Sequence, residues 1–142
     1  MTTTLSFGEQ YQADFSAWVK YEDTDFEVNI KYLSMMDAEK LVKSCEKYEF
    51  DPKTHQKVKA ISDDLFKKRI ADLIVDWKGL TKQVAQKRVA LKAGTPDGEF
   101  DCNPANKDFV ISQFSGFASF VLDSAKNLHE QQSKEVEEEI KN

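Results

Sequence analysis

The feature that most constrains the fold is the stretch Ile70-Ala71-Asp72-Leu73-Ile74-Val75-Asp76-Trp77-Lys78-Gly79-Leu80-Thr81. Together with Phe66, it places Ile70, Leu73, Ile74 and Trp77 at steps of four, three, one and three, which sets them on one face of a helix. The spacing predicts a helix capped by Ser62-Asp63-Asp64, whose two carboxylates sit at the positive end of the helix dipole. It runs to Gly79, where a glycine in the left-handed conformation closes the last carbonyls and lets Leu80 fold back on the final turn. Trp77 reads as a core anchor at the helix end, because large aromatics at helical spacing pack inward; contact with a partner is the alternative.

The rest of the chain divides around this helix. Phe15, Ala17, Val19 and Tyr21 alternate with polar positions, and after Glu22-Asp23-Thr24-Asp25 the alternation resumes in Phe26, Val28, Ile30 and Tyr32. Two strands joined by an acidic turn predict a hairpin. Trp18 interrupts its polar face, so the first strand is expected to be covered on both sides or to pair with another chain. A lone two-stranded hairpin is marginal in water and must lean on helices or on a neighbouring subunit.

Ser34 with Asp37 reads as a helix start, and Ala38, Leu41, Val42 and Cys45 give one face of a helix over 35–47, closed by a turn at Asp51-Pro52-Lys53. A short helix is expected over 82–92, followed by a surface loop at Ala93-Gly94-Thr95-Pro96-Asp97-Gly98-Glu99. Asn103-Pro104 starts the last helical region, where Val110, Phe114, Phe117, Val121 and Leu128 keep a seam of four and three, widened by Phe109 and Phe120. Gly116 costs about 1 kcal/mol relative to alanine inside a helix and marks a candidate break. The seam serves either as the core of one domain or as a face for self-association or a client.

The fold class expected is α+β, a mainly α-helical single domain with an N-terminal β-hairpin. A length of 142 residues suits one core. The expected organisation is a flexible arm over 1–13, a globular domain over 14–130 and an acidic tail over 131–142. That tail, rich in glutamate and nearly devoid of apolar residues, cannot build a core.

Charge and composition exclude several classes. A net charge of −5 argues against a dedicated nucleic-acid binder. No apolar run is long enough for a membrane span and the amino terminus lacks a secretory signal, so a cytoplasmic location is expected. Cys45 and Cys102 have no CxxC neighbour; Cys45 reads as a small buried hydrophobe on the apolar face of its helix. Every charged residue from Lys78 to Lys92 is positive, namely Lys78, Lys82, Lys87, Arg88 and Lys92. The run is a solvated face or a docking patch for an acidic partner or for the chain's own acidic tail.

His55 and His129 lie far apart with no carboxylate or cysteine at metal-ligand spacing, and no phosphate loop, GxSxG elbow or HExxH motif is present. No catalytic, cofactor-binding or metal-ligating residue is therefore expected, and the chain reads as a non-enzyme.

Three phrases together carry a resemblance: Lys47-Tyr48-Glu49-Phe50-Asp51-Pro52-Lys53-Thr54-His55-Gln56, the Asp76-Trp77-Lys78-Gly79 motif, and the helix start Asn103-Pro104-Ala105-Asn106 after a variable acidic loop. In this order, over residues 26 to 130, the chain resembles the small tail assembly chaperones of long-tailed bacteriophages and prophages. The resemblance implies a homo-oligomeric chaperone in the cytoplasm of the bacterial host. It would bind the helical tape measure protein, keep it soluble while the tail forms, and be absent from the mature virion; the tail tube protein is a further candidate partner. The alternative is a structural neck or tail-completion protein. Amphipathicity, rather than the resemblance, nominates the partner-binding residues: Trp77, Phe109, Phe114, Phe117 and Phe120, with Trp18 on the hairpin.

Overall fold

The computed structural model describes residues 3–130. In chain order these form α1 (Phe7–Gln10), β1 (Ser16–Lys20), β2 (Glu27–Lys31), α2 (Met35–Ser44), β3 (Glu46–Phe50), β4 (Lys57–Ile61), α3 (Asp63–Leu73), β5 (Ile74–Lys78), α4 (Lys82–Gln86), α5 (Pro104–Gln113) and α6 (Phe117–Lys126). The acidic tail expected over 131–142 lies outside the described residues.

β1 and β2 pair antiparallel, with Ala17 opposite Ile30 and Val19 opposite Val28, so their alternation puts one apolar row on the inner face. The sheet does not stop there. β5 adds to the far side of β2, giving the order β1-β2-β5, while β3 and β4 form a separate two-stranded sheet. The expectation of a mainly helical domain with a single N-terminal hairpin is therefore corrected: the fold is α+β with two sheets, and strands are spread along the chain rather than confined to its start.

The largest correction falls on the helix expected to end at Gly79. It ends at Leu73, and Ile74 already has extended backbone. The misleading period has a physical origin. Ile30 pairs with Ile74 but Asn29 pairs with Asp76, so Val75 is an extra residue, a β-bulge. The bulge shifts the phase of the strand and sends both Ile74 and Trp77 inward. An apolar spacing of three, read as helical, is here a bulged strand built from β-branched and aromatic residues.

The helix over 35–47 also ends early, at Ser44, and the segment beyond it is β3, a turn and β4. α2 and α3 start on the side chains foreseen for them: the Asp37 amide donates to Ser34 Oγ at 3.1 Å and the Leu65 amide to Ser62 Oγ at 3.4 Å. Of the helix expected over 82–92, only Lys82–Gln86 is helical, and it is capped by Thr81. Asn103 caps α5, accepting from the Asn106 amide at 2.8 Å. Gly116, with φ 77°, separates α5 from α6.

α3 and α6 cover the sheet and α5 packs on α3. At the centre, the Phe26 and Phe117 rings stack at 5.9 Å, Trp77 meets Phe26 edge-on at 5.6 Å, and Tyr21 meets Phe117 edge-on at 5.4 Å. Ile30, Ile70, Ile74 and Val121 complete this buried centre. Cys45, the C-cap of α2, is fully buried as well.

Candidate interaction surfaces

Three of the six nominated partner residues are core. Trp77, Phe114 and Phe117 are buried, and the indole Nε1–H of Trp77 donates to the Phe100 carbonyl at 2.7 Å. Phe120 is half-buried, its ring edge-on to Tyr21 at 5.0 Å. Trp18 is half-buried on the outer face of edge strand β1, with the Lys78 ammonium 4.5 Å from its ring centroid. Phe109 alone of the six stands open, 49% exposed. The structure thus does not assemble the nominated residues into one site.

Phe109 forms the lip of an apolar cavity of about 190 Å³ whose walls include Leu80, Val89, Leu91, Phe100 and Phe114. α4 and the segment after it make one wall and α5 the other. Asn106 is the polar residue of its lining.

The hairpin β3–β4 is the surface that sequence reasoning missed. Its strands are exposed along nearly their whole length on both faces. Tyr48 is 68% and Phe50 70% exposed. The register sets Tyr48 opposite Lys59 and Phe50 opposite Lys57, so two rings and two ammonium groups share one face. Glu46 lies on that same face, paired to Lys59 at 3.0 Å. Glu46 also lines a cavity of about 330 Å³ between α2 and α6, with Met35, Ala38, Val42 and Leu122. Glu46 therefore joins the α2–α6 groove to the hairpin face that carries Tyr48 and Phe50. The available signal was the alternation of Tyr48 and Phe50, too short to stand out without a buried face behind it.

The positive run from Lys78 to Lys92 is largely consumed inside the fold. Lys78 pairs with Glu27 at 3.2 Å, Lys82 with Asp97 at 3.9 Å, and Arg88 with Glu22 while lying over the Tyr21 ring. Lys87 and Lys92 remain exposed.

A third cavity, about 390 Å³, lies between α3 and α5 and mixes Asp64, Asp72 and Asp108 with Lys67, Lys68 and Lys107. Cys102, half-buried near Asp76 and Lys107, has its thiol pKa raised by burial, with the Lys107 charge pulling the other way. Among the described residues no group of three His, Cys, Asp or Glu could hold a metal ion, and no helix is long and apolar enough to cross a membrane.

Compared with known protein families, curated proteins and solved structures, the chain matches none.

Proposed function

We propose that this chain is a tail assembly chaperone of a long-tailed bacteriophage, a binding protein rather than an enzyme, that holds the tape measure protein until the tail tube forms and then leaves. One observation carries the reading beyond the resemblance. The Lys47–Gln56 phrase is β3 and the turn after it, the part of the fold that leaves two aromatic rings exposed beside lysines. Exposed rings interleaved with charged side chains, next to the α2–α6 groove, suit an amphipathic client helix laid along the hairpin and into that groove. Client contact is accordingly assigned to Tyr48, Phe50 and the groove residues Val42 and Leu122, with Phe109 as a separate contact point. Trp77, Phe114 and Phe117 hold the scaffold.

The reading separates from a neck or tail-completion protein by where the chain ends up. Quantitative mass spectrometry of infected cells and of purified particles tests this. Abundance in the cells with loss from the particles is expected. A fixed copy number per particle would replace the chaperone with a structural component.

A further inference from the structure

The two edges of the three-stranded sheet are finished differently. β5, one edge, is closed. Its bulge at Val75 breaks the line of outward backbone groups, and the Trp77 amide donates to Asp76 Oδ1 at 2.9 Å. The Ile74 carbonyl accepts the Lys107 ammonium at 2.9 Å, while the Ile74 amide donates to the Ala71 carbonyl. Such devices keep an edge strand from templating another chain.

β1, the other edge, is open. The Tyr21 amide donates to the Phe26 carbonyl and the Tyr32 amide to the Phe15 carbonyl, both at 2.8 Å. These two bonds fix the phase of the ladder: Phe15, Ala17, Val19 and Tyr21 bond towards β2, and the N–H and C=O groups of Ser16, Trp18 and Lys20 point away from it. Among the described residues nothing pairs with these outward groups. The strand is regular over its five residues, with no bulge and no proline.

An added strand would meet an apolar rim on one face and a charge on the other. Val19 is half-buried against the core on the inner face, beside buried Ala17, whereas Ser16, Trp18 and Lys20 lie on the outer face. The carboxylate opposite Lys20, that of Glu27, is already paired to Lys78 at 3.2 Å. Lys20 and Lys31, the latter opposite Ser16, are exposed and have no ion pair among the described residues. Asp14 and Asp23 lie beyond the two ends of the strand. A single lysine on the edge therefore discriminates rather than closes: it disfavours a cationic segment and favours an acidic one.

We propose that β1 takes an extended acidic segment of a partner protein as a fourth strand, antiparallel because that pairing is the stabler. Its main chain bonds to Ser16, Trp18 and Lys20, a β-branched residue covers Val19, and a carboxylate sits opposite Lys20. This edge belongs to a different sheet from the β3–β4 hairpin, so the proposal stands or falls apart from the chaperone reading.

The probe is the synthetic peptide acetyl-Glu-Val-Tyr-Val-Thr-amide, whose glutamate falls opposite Lys20 and whose tyrosine falls opposite Trp18 in that register. Amide hydrogen exchange, read by NMR on the full-length chain, reports on the edge directly. The amides of Ser16, Trp18 and Lys20 are expected to exchange freely in the chain alone and to slow about tenfold with the peptide at about ten times its Kd. A peptide methylated on its tyrosine nitrogen loses a main-chain bond and is expected not to bind. Replacing the peptide's glutamate by lysine is expected to weaken binding about threefold, and Lys20→Glu, at an exposed position, to reverse that preference. No slowing with the first peptide, equal binding of the methylated one, or equal binding of the acidic and basic ones would each overturn the proposal. Edge amides already slow in the chain alone would overturn it too, assigning the edge to another part of the chain or, if the slowing rises with protein concentration, to a second copy. The three peptides on the wild-type chain suffice if Lys20→Glu does not fold.

Discussion

A Cβ on Gly79 would lie 2.1 Å from the carbonyl oxygen of Asp25, inside any permitted contact, and Gly79 also has φ 77°. β5 leaves the sheet here, against the backbone of the β1–β2 turn. Left-handed backbone alone costs a non-glycine residue about 1–2 kcal/mol. Gly79→Ala must in addition push the Asp25 backbone aside. Gly116 has the same φ, but a Cβ there would meet nothing within 4 Å. Denaturant unfolding should therefore show Gly116→Ala losing about 1 kcal/mol and Gly79→Ala clearly more; equal losses would mean that the Asp25 contact contributes nothing.

Trp77 packs against Phe26 and donates its indole hydrogen to Phe100. Trp77→Ala should cost about 3–5 kcal/mol through the lost packing. Trp77→Phe keeps much of the ring but leaves the Phe100 carbonyl without its donor, a loss of about 1–3 kcal/mol. Equilibrium unfolding in urea ranks the two, and a near-neutral Trp77→Ala would remove the residue from the core.

Tyr21 is buried among Phe26, Phe117 and Phe120, and its hydroxyl finds no hydrogen-bond partner. Keeping an unpaired hydroxyl out of water costs about 1–3 kcal/mol, so removing it should not hurt. Tyr21→Phe is expected to hold or raise the melting temperature. A fall would show that the hydroxyl is bonded in solution.

The two cysteines should label very differently. Cys45 is fully buried and should react only on unfolding. Cys102 is half-buried with its thiol pKa raised by loss of solvent, and only the thiolate attacks. Its alkylation rate should keep climbing with pH past about 8.5, where an ordinary thiol begins to level off. A Cys102 rate that saturates like a free thiol contradicts this.

Legibility followed burial. The β1–β2 hairpin is readable because one face of each strand meets the core, leaving Ala17, Val28 and Ile30 inside and Ser16, Lys20 and Lys31 outside. The caps at Ser34, Ser62, Thr81 and Asn103 are local chemistry and need no tertiary context. β5 is misread because the bulge at Val75 gives a strand the spacing of a helix, and only pairing with β2 shows it. β3 and β4 are missed for the opposite reason: with no core behind them, nothing imposes an alternation long enough to see. The candidate site suffered accordingly. Aromatic periodicity finds core, so it nominated Trp77, Phe114 and Phe117, while the exposed rings of Tyr48 and Phe50 lie where periodicity is weakest.

If this chain is the proposed chaperone, its exposed hairpin holds a helical client. Co-expression with the proposed client, a phage tape measure protein, tests it, comparing the wild-type chain with Tyr48→Ser/Phe50→Ser and recording how much client stays in the soluble fraction bound to this chain. Both rings are exposed, so the double substitution should change stability by only about 0.5 kcal/mol. Wild type is expected to keep the client soluble in a complex with several copies, and the folded variant to lose most of it to the pellet. A variant that holds the client as well as wild type would contradict the hairpin assignment, and a client indifferent to the wild-type chain would contradict the chaperone itself.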